Sequence, residues 1–115
     1  MILVTPCPEG ISPNHPEIRT TGYWPKSEIL ERVADGRIGS RLVACHLMAF
    51  GRILEQGRLI LVSPGFKREE AMDMGLDYAS TANEAVSREI ERLGSTASVS
   101  ILWHGGKILP VTDPV

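Results

Sequence analysis

Two short apolar segments stand out along the chain, and each is followed by a proline. The first, Ile-Leu-Val-Thr at 2–5, ends before Pro6, and the second runs over 58–63 before Pro64. Both are rich in β-branched residues and lack polar alternation, which is typical of parallel strands buried on both faces. They share the letters Ile-Leu-Val, but buried strands commonly share composition, so we interpret the match as coincidence rather than an internal repeat.

Helical periodicity separates these two strands. A helix is predicted from Ser27 as N-cap to a stop at Gly36. A longer helix is predicted from Ser40 to about Gln56, with a broad apolar face. The predicted core positions of the first helix are Ile29, Leu30, Val33 and Ala34. Those of the second are Leu42, Val43, Leu47, Ala49, Phe50, Ile53 and Leu54.

The second half of the chain continues the alternation. A short helix is predicted over 67–74, a short strand over 76–79, and a helix from a capping box at Thr81 to Gly94. Its predicted core residues are Ala85, Val86, Ile90 and Leu93. Residues 97–103 alternate well enough for a further strand, and 108–111 form a final extended piece that Pro110 restricts to a sheet edge.

Strands that alternate with helices indicate an α/β domain with right-handed crossovers. We therefore predict one domain over 1–115, a three-layer α/β/α arrangement with a mostly parallel sheet of about four strands. In such sheets ligands bind outside the carboxyl ends of the strands, which here are residues 5–10, 63–66 and the region 79–81.

Composition and charge exclude several classes of protein. The 12 basic and 14 acidic residues give a net charge of −2, which argues against a nucleic-acid binder. No apolar run reaches the ~18 residues of a membrane span, and the start lacks the features of a signal peptide. Two cysteines outside any CxxC pair do not form a disulfide framework. We therefore expect a soluble cytoplasmic protein.

The proline-rich stretch 6–25 carries the most reactive side chains. Cys7, Glu9, Gly10 and His15 follow the carboxyl end of the first strand. A long loop at this edge is commonly a binding segment, so these residues are candidates for one wall of a site. A solvated surface loop whose polar residues stabilise turns explains the same pattern.

Familiar catalytic and metal-binding motifs are absent from the sequence. No P-loop, dinucleotide fingerprint or nucleophile elbow is present. The three histidines are scattered, without the spacing of a zinc site. Cys45 and His46 are adjacent on a predicted helix, so they point about 100° apart and are poorly placed to hold one metal together. We predict no metal site from this chain alone.

The order of the segments is more specific than any one motif. Six short segments carry the resemblance: Ile-Leu-Val-Thr-Pro-Cys-Pro-Glu-Gly at 2–10, Phe-Gly-Arg-Ile-Leu at 50–54, Leu-Ile-Leu-Val-Ser at 59–63, Glu-Ala-Met-Asp-Met-Gly at 70–75, Asn-Glu-Ala at 83–85, and Gly-Gly-Lys-Ile-Leu-Pro at 105–110. In this order they resemble the C-terminal domain of the lactate racemase family. Those enzymes are two-domain racemases and epimerases of 2-hydroxy acids that use a nickel-pincer nucleotide.

The resemblance implies a divided enzyme. The family's nickel-binding and proton-transferring histidines and its cofactor-bearing lysine belong to an N-terminal domain with no counterpart in these residues. The expected partners are therefore that domain and a small 2-hydroxy acid, and no catalytic residue is expected in this chain. The candidates to face substrate or cofactor are Cys7, Glu9, Gly10, His15, Cys45 and His46.

One departure from the family concerns the substrate. Characterised lactate racemases carry a tryptophan near the active site, on a helix that aligns loosely with 40–56. Cys45 or His46 stands nearest to that position here. This difference favours a 2-hydroxy acid other than lactate, or an altered pocket.

Two other functions fit the same residues. The first is a stand-alone α/β interaction module that binds a partner through the proline-rich loop 6–25. The second is a small enzyme that uses Cys7 or His15.

Overall fold

The computed structural model describes residues 1–10 and 14–107. Its elements occur in the order β1 Ile2–Val4, α1 Glu17–Thr21, α2 Lys26–Ala34, α3 Arg41–Gln56, β2 Ile60–Val62, α4 Arg68–Asp73, β3 Asp77–Ala79, α5 Ala82–Leu93, and a 3-10 helix Gly105–Lys107. The mixed α/β class predicted from the alternation is therefore confirmed. The extended piece predicted at 108–111 lies outside the described residues.

The sheet contains three parallel strands in the order β1-β2-β3 over the described part of the chain. The two Ile-Leu-Val segments are neighbours in it, and Ile2 pairs with Ile60, Leu3 with Leu61 and Val4 with Val62. Their parallel pairing, predicted from composition, brings the loops that follow β1 and β2 to the same edge.

Alternate strand residues pack into two separate apolar clusters. Leu61 and Tyr78 pack with Ala71 of α4 and with Phe50 of α3. On the opposite side of the strands, Ile60, Val62 and Ala79 pack against Ala85 of α5. Because successive side chains of a strand point to opposite faces, α3 and α4 cover one face of the sheet and α5 covers the other.

A third cluster joins α1, α2 and α3. It consists of Ile18, Ile29, Ile38, Val43, Ala44 and Leu47, with Tyr23 and Met48 packed against it. The hydroxyl of Ser40 accepts a hydrogen bond from the Val43 amide at 3.4 Å, which confirms the predicted N-cap of α3. The predicted apolar faces were too broad, because the side chains of Leu30, Val33 and Leu42 are exposed.

The start of α2 differs from the prediction. The helix begins at Lys26 after Pro25, and Ser27 lies inside it rather than at its N-cap. The backbone amide of Ser27 donates to the Glu55 carboxylate of α3 at 3.1 Å. A side chain from the neighbouring helix therefore satisfies an amide at the start of α2. Gly51 allows this approach, since a Cβ atom there would lie 2.7 Å from the Lys26 nitrogen.

Two other segments differ from the sequence prediction. The stretch 6–25 contains a five-residue helix, α1, which Pro16 precedes and Gly22 ends. Residues 97–103 do not form the predicted strand, and all of them except Ala97 are exposed. A strand needs a hydrogen-bonded neighbour, and no described segment pairs with 97–103.

The amino end of α5 is fixed by a pair of hydrogen-bonded side chains. The Thr81 hydroxyl accepts from the Glu84 amide at 3.1 Å, which confirms Thr81 as the N-cap. The Glu84 carboxylate binds the hydroxyl and the backbone amide of Ser80, the latter at 2.8 Å, rather than the Thr81 amide. These bonds from Ser80, together with Arg68, lower the pKa of Glu84 to about 2.

The lowered pKa of Glu84 predicts a loss of stability in acid. The pKa falls from 4.5 to about 2 on folding, so the stabilisation is complete above pH 4.5 and is lost as the pH falls toward 2. We expect Glu84→Gln to lower the urea midpoint at neutral pH and to flatten its decline over this acid range. Glu91→Gln is the control, because it removes the same charge from α5 without touching Ser80. Equal acid profiles for the two variants would contradict the prediction.

Candidate functional site

The loop after β1 is held in an unusual backbone conformation. Cys7 has a φ of +35°, a value that residues other than glycine rarely adopt. Its carbonyl oxygen accepts from the Gly10 amide at 2.9 Å, and Gly10 itself has a φ of +67°. The Cys7 thiol and the Thr5 hydroxyl share a hydrogen bond of 3.4 Å. This tight turn fixes the thiol beside the carboxyl end of β1.

The loop after β2 holds the Cys7 turn in place. The Ser63 hydroxyl donates to the Pro6 carbonyl oxygen at 3.2 Å and accepts from the Gly65 amide at 3.1 Å. Gly65 lies directly against Cys7, and a Cβ atom at this position would be 1.7 Å from the Cys7 carbonyl oxygen. The two strand-end loops therefore form one packed edge, as expected for neighbouring parallel strands.

The buried side chain of Tyr78 is hydrogen-bonded to the loop that follows β2. The Tyr78 hydroxyl lies 3.1 Å from the carbonyl oxygen of Ser63 and 3.3 Å from that of Phe66. One hydroxyl hydrogen is thus directed toward two carbonyl groups of the same loop. The loop is bridged at both ends, which keeps Gly65 against Cys7.

Tyr23 and His46 form a hydrogen-bonded pair between the turn that follows α1 and helix α3. The Tyr23 hydroxyl and the His46 Nε2 atom are 3.1 Å apart. Both rings pack on Phe50, with ring centroids 5.1 Å and 5.0 Å from that of Phe50. His46 and Phe50 are four residues apart on α3 and so share one face of the helix. The hydrogen bond therefore lies within a group of three packed rings, those of Tyr23, His46 and Phe50.

The charges of Cys7 and His15 affect the pKa values of this pair. Burial, and then the charge of Cys7, raise the pKa of Tyr23. Burial, and then the charge of His15, lower the pKa of His46 below its ordinary 6.5. His15 is positioned by Glu17, whose carboxylate lies 3.4 Å from the His15 Nδ1 atom. The lowered pKa favours the neutral imidazole of His46, and the raised pKa favours the neutral hydroxyl of Tyr23.

The structure brings together half of the predicted site residues. The charge of Cys7 acts on Tyr23 and that of His15 acts on His46, so electrostatics connects Cys7, His15 and His46 through the Tyr23–His46 hydrogen bond. Gly10 closes the Cys7 turn, whereas the Glu9 side chain is exposed. Cys45 is exposed and takes no part in these contacts. Its neighbour His46 points toward the site because adjacent helical residues face different directions.

Tyr23 is the functional candidate that the sequence did not reveal. It lies in the stretch 6–25, between α1 and α2, and nothing in its local pattern connects it with a residue 23 positions later. The only available signal was the His46–Phe50 spacing, which marks a second, aromatic face of α3 beside its aliphatic one.

The residues described here do not form a metal centre by themselves. Among residues 1–10 and 14–107, no three His, Cys, Asp or Glu side chains are grouped so that they hold a metal ion. That part of the chain therefore presents no group of three such ligands for a nickel ion. Within the same residues, no helix is long and apolar enough to cross a membrane.

Together these contacts define a small α/β domain with a polar and aromatic cluster at the carboxyl edge of its parallel strands. We call this set, Cys7, His15, Tyr23 and His46, the β1-edge cluster. Comparison with known proteins gave no match to any protein-family model, to any curated protein or to any solved structure.

Proposed function

We propose that this chain is the pocket-covering domain of a 2-hydroxyacid racemase or epimerase. The nickel-pincer nucleotide and the catalytic residues belong, in this proposal, to a separate N-terminal domain. The observation that carries it is the β1-edge cluster, in which the hydrogen-bonded Tyr23–His46 pair lies within electrostatic range of His15 and of Cys7, and Cys7 follows the strand end at which α/β sheets bind ligands. The ordered motifs that resemble the lactate racemase family supply the reaction class.

The chemistry of the β1-edge cluster suits a small polar acid. A neutral imidazole and a phenol hydroxyl both donate and accept hydrogen bonds, which matches a hydroxyl group beside a carboxylate. The surrounding rings of Tyr23, His46 and Phe50 form an apolar wall. When such a wall closes over a substrate it excludes water and fixes the orientation of the reacting groups. We assign to this chain the exclusion of water and the orientation of the substrate, and no chemical step.

The proposal includes a fold and a location. The fold is a three-layer α/β/α domain with about four strands, supported by helices packed on both faces of the observed sheet. The location is the cytoplasm, supported by two free cysteines.

The test uses the protein that contains both this chain and its N-terminal domain, loaded with cofactor. Interconversion of the stereoisomers of a panel of 2-hydroxy acids is followed by chiral chromatography. We expect His46→Asn and Tyr23→Phe each to lower kcat/KM by about tenfold, the cost of losing one hydrogen bond to substrate.

Cys45→Ser is the matched control, since Cys45 is the neighbour of His46 on α3 and is exposed. We expect it to leave kcat/KM unchanged. Cofactor content and the unfolding midpoint of each variant are measured in parallel. If the loaded wild-type protein interconverts no stereoisomer, the proposal is wrong. If His46→Asn and Cys45→Ser behave alike, the role of the β1-edge cluster is wrong.

A second function is favoured by the surface of the stretch 6–25. Pro6, Pro8, Pro16 and Pro25 are exposed, and the exposed ring of Trp24 lies under the Arg32 guanidinium at 4.5 Å. Exposed prolines beside a tryptophan are typical of a surface that binds a protein partner. This alternative, a stand-alone interaction module, predicts that Trp24→Ala abolishes partner capture, whereas His46→Asn preserves it.

A further inference from the structure

The segment after α5 carries an apolar surface without a partner among the described residues. Val99, Ile101, Leu102 and Trp103 are 55 to 76 % exposed, and they fill four of the five consecutive positions 99–103. Exposed apolar runs of this kind mark surfaces that become buried against something else. The same segment alternates between apolar and small polar residues from Ala97 to Ile101, as an edge strand does.

The sheet has an open edge for such a strand. In the order β1-β2-β3, β1 pairs with β2 alone over the described part of the chain. Val4 on β1 is 63 % exposed, although it lies beside the buried Val62. An edge strand of this kind presents unpaired backbone N–H and C=O groups to any neighbouring strand.

The end of α5 lies beside the beginning of this open strand. Glu89 contacts Arg58 at 3.5 Å, and the backbone oxygen of Arg58 accepts a hydrogen bond from the Met1 amino group. Arg92, Arg58 and the charge of that amino group together lower the pKa of Glu89. The chain that leaves α5 at Gly94 therefore starts next to the amino end of β1, and a strand continuing from there runs parallel to β1.

The crossover rule selects the same edge. The connections from β1 to β2 and from β2 to β3 cover the face that contains Leu61, whereas α5 covers the face that contains Ile60. Crossovers between parallel strands are nearly always right-handed. Two crossovers of the same hand on opposite faces advance in opposite directions across the sheet. A strand after α5 therefore lies beyond β1 and not beyond β3.

We propose that residues 97–103 leave the unpaired, exposed arrangement described above and dock as a fourth, parallel strand on the open edge of β1. Docking covers Val4 and buries Val99 and Ile101, which share one face of the new strand. The resulting order is the 97–103 strand followed by β1, β2 and β3. The connections on either side of this new strand pair then lie on opposite faces of the sheet. The reversal of strand order falls between the new strand and β1, which is the position where α/β sheets form a ligand crevice. Trp103 thereby reaches the side of the Cys7 turn and deepens the β1-edge cluster.

The experiment is hydrogen exchange of the wild-type chain with peptide-level resolution over 97–103. We expect exchange of these amides to be slowed by at least about tenfold relative to an unstructured peptide of the same sequence. We expect the double variant Val99→Asp/Ile101→Asp to lose this protection. The control Ser98→Asp/Ser100→Asp adds the same charge to the other face of the segment and keeps the protection.

The possible results separate docking from its alternatives. Unprotected 97–103 amides in the wild type overturn the proposal, as does equal protection in the two double variants. Protection that rises with protein concentration also overturns it, because it indicates strand exchange with a second copy. None of these measurements depends on a substrate, so the result is independent of the proposed racemase function.

Discussion

Gly65→Ala is expected to lower the free energy of unfolding by about 3 kcal/mol, which is the upper part of the usual range for overpacking. The added Cβ atom would lie 1.7 Å from the carbonyl oxygen of Cys7 and 2.8 Å from that of Pro6. Both obstacles are backbone atoms, so no side-chain rotation relieves the contact. One of the two strand-end loops has to move away from the other.

The movement has a chemical readout at the site. In a Cys45→Ser background, Cys7 is the only remaining thiol, because the chain has two cysteines. Separation of the loops exposes the half-buried Cys7, so we expect its alkylation to be faster in Gly65→Ala than in the parent. Urea unfolding gives the change in stability, and the alkylation rate shows whether the Cys7 turn has opened.

Gly39→Ala is the matched control for this substitution. No atom lies within 4 Å of a Cβ placed on Gly39, and its φ is outside the left-handed region. A Gly→Ala change at such a position is neutral or stabilises by about 0.4–1 kcal/mol, because it restricts the unfolded chain. If Gly65→Ala has the same small effect, the close approach of the two loops is wrong.

The parts of the fold that depend on local signals were predicted well. The N-cap at Ser40 and the end of α3 at Gln56 follow from residues within the helix and its flanks. The parallel strands β1 and β2 follow from their own composition, and both appear. These features depend on neighbours a few residues away, which a single sequence displays directly.

Features that depend on how elements meet were missed. Ser27 is not the N-cap of α2, because Glu55 of α3 reaches its amide, and no pattern near Ser27 contains that information. Leu30 is apolar and at a helical spacing, but α2 presents only a narrow face to α3, so Leu30 remains exposed. Periodicity identifies the direction of a buried face and not its breadth.

The same distinction applies to the candidate site. The packing of the Cys7 turn against the loop after β2 was predictable, because the ends of parallel strands meet at one edge. The Tyr23–His46 hydrogen bond was not, since it depends on the rotation of α3 about its axis and on the turn between α1 and α2. The rotation of α3 and the position of that turn depend on how the apolar cluster around Leu47 packs. No local sequence motif describes this packing.

That dependence predicts a second large effect, in Leu47→Ala. Leu47 is fully buried at the centre of the cluster formed by α1, α2 and α3. Truncation removes buried methyl groups and leaves a cavity, which costs about 3 kcal/mol, within the 2–5 kcal/mol typical of buried leucines. Domains of this size are commonly stable by about 5–15 kcal/mol, so the loss is a large share of the total.

Leu42→Ala provides the comparison, because Leu42 lies on the same helix five residues earlier and is 63 % exposed. We expect its effect on the free energy of unfolding to be within about 0.5 kcal/mol. Both values come from urea unfolding of purified variants followed by circular dichroism. Equal effects would show that the burial pattern of α3 is wrong.

Leu47→Ala also tests the link between core packing and the site. His46 is adjacent to Leu47 on α3, so a shift of the helix moves the His46 imidazole relative to Tyr23. The Tyr23 hydroxyl and the His46 Nε2 atom are 3.1 Å apart in the wild type. The burial that lowers the pKa of His46 decreases as the packing loosens, so this pKa is expected to rise toward 6.5 in Leu47→Ala. Titration of His46 by NMR in the two leucine variants separates this coupling from a general loss of stability, because Leu42→Ala leaves the cluster intact. An unchanged His46 pKa in a folded Leu47→Ala protein would mean that the Tyr23–His46 pair is positioned independently of the helical core.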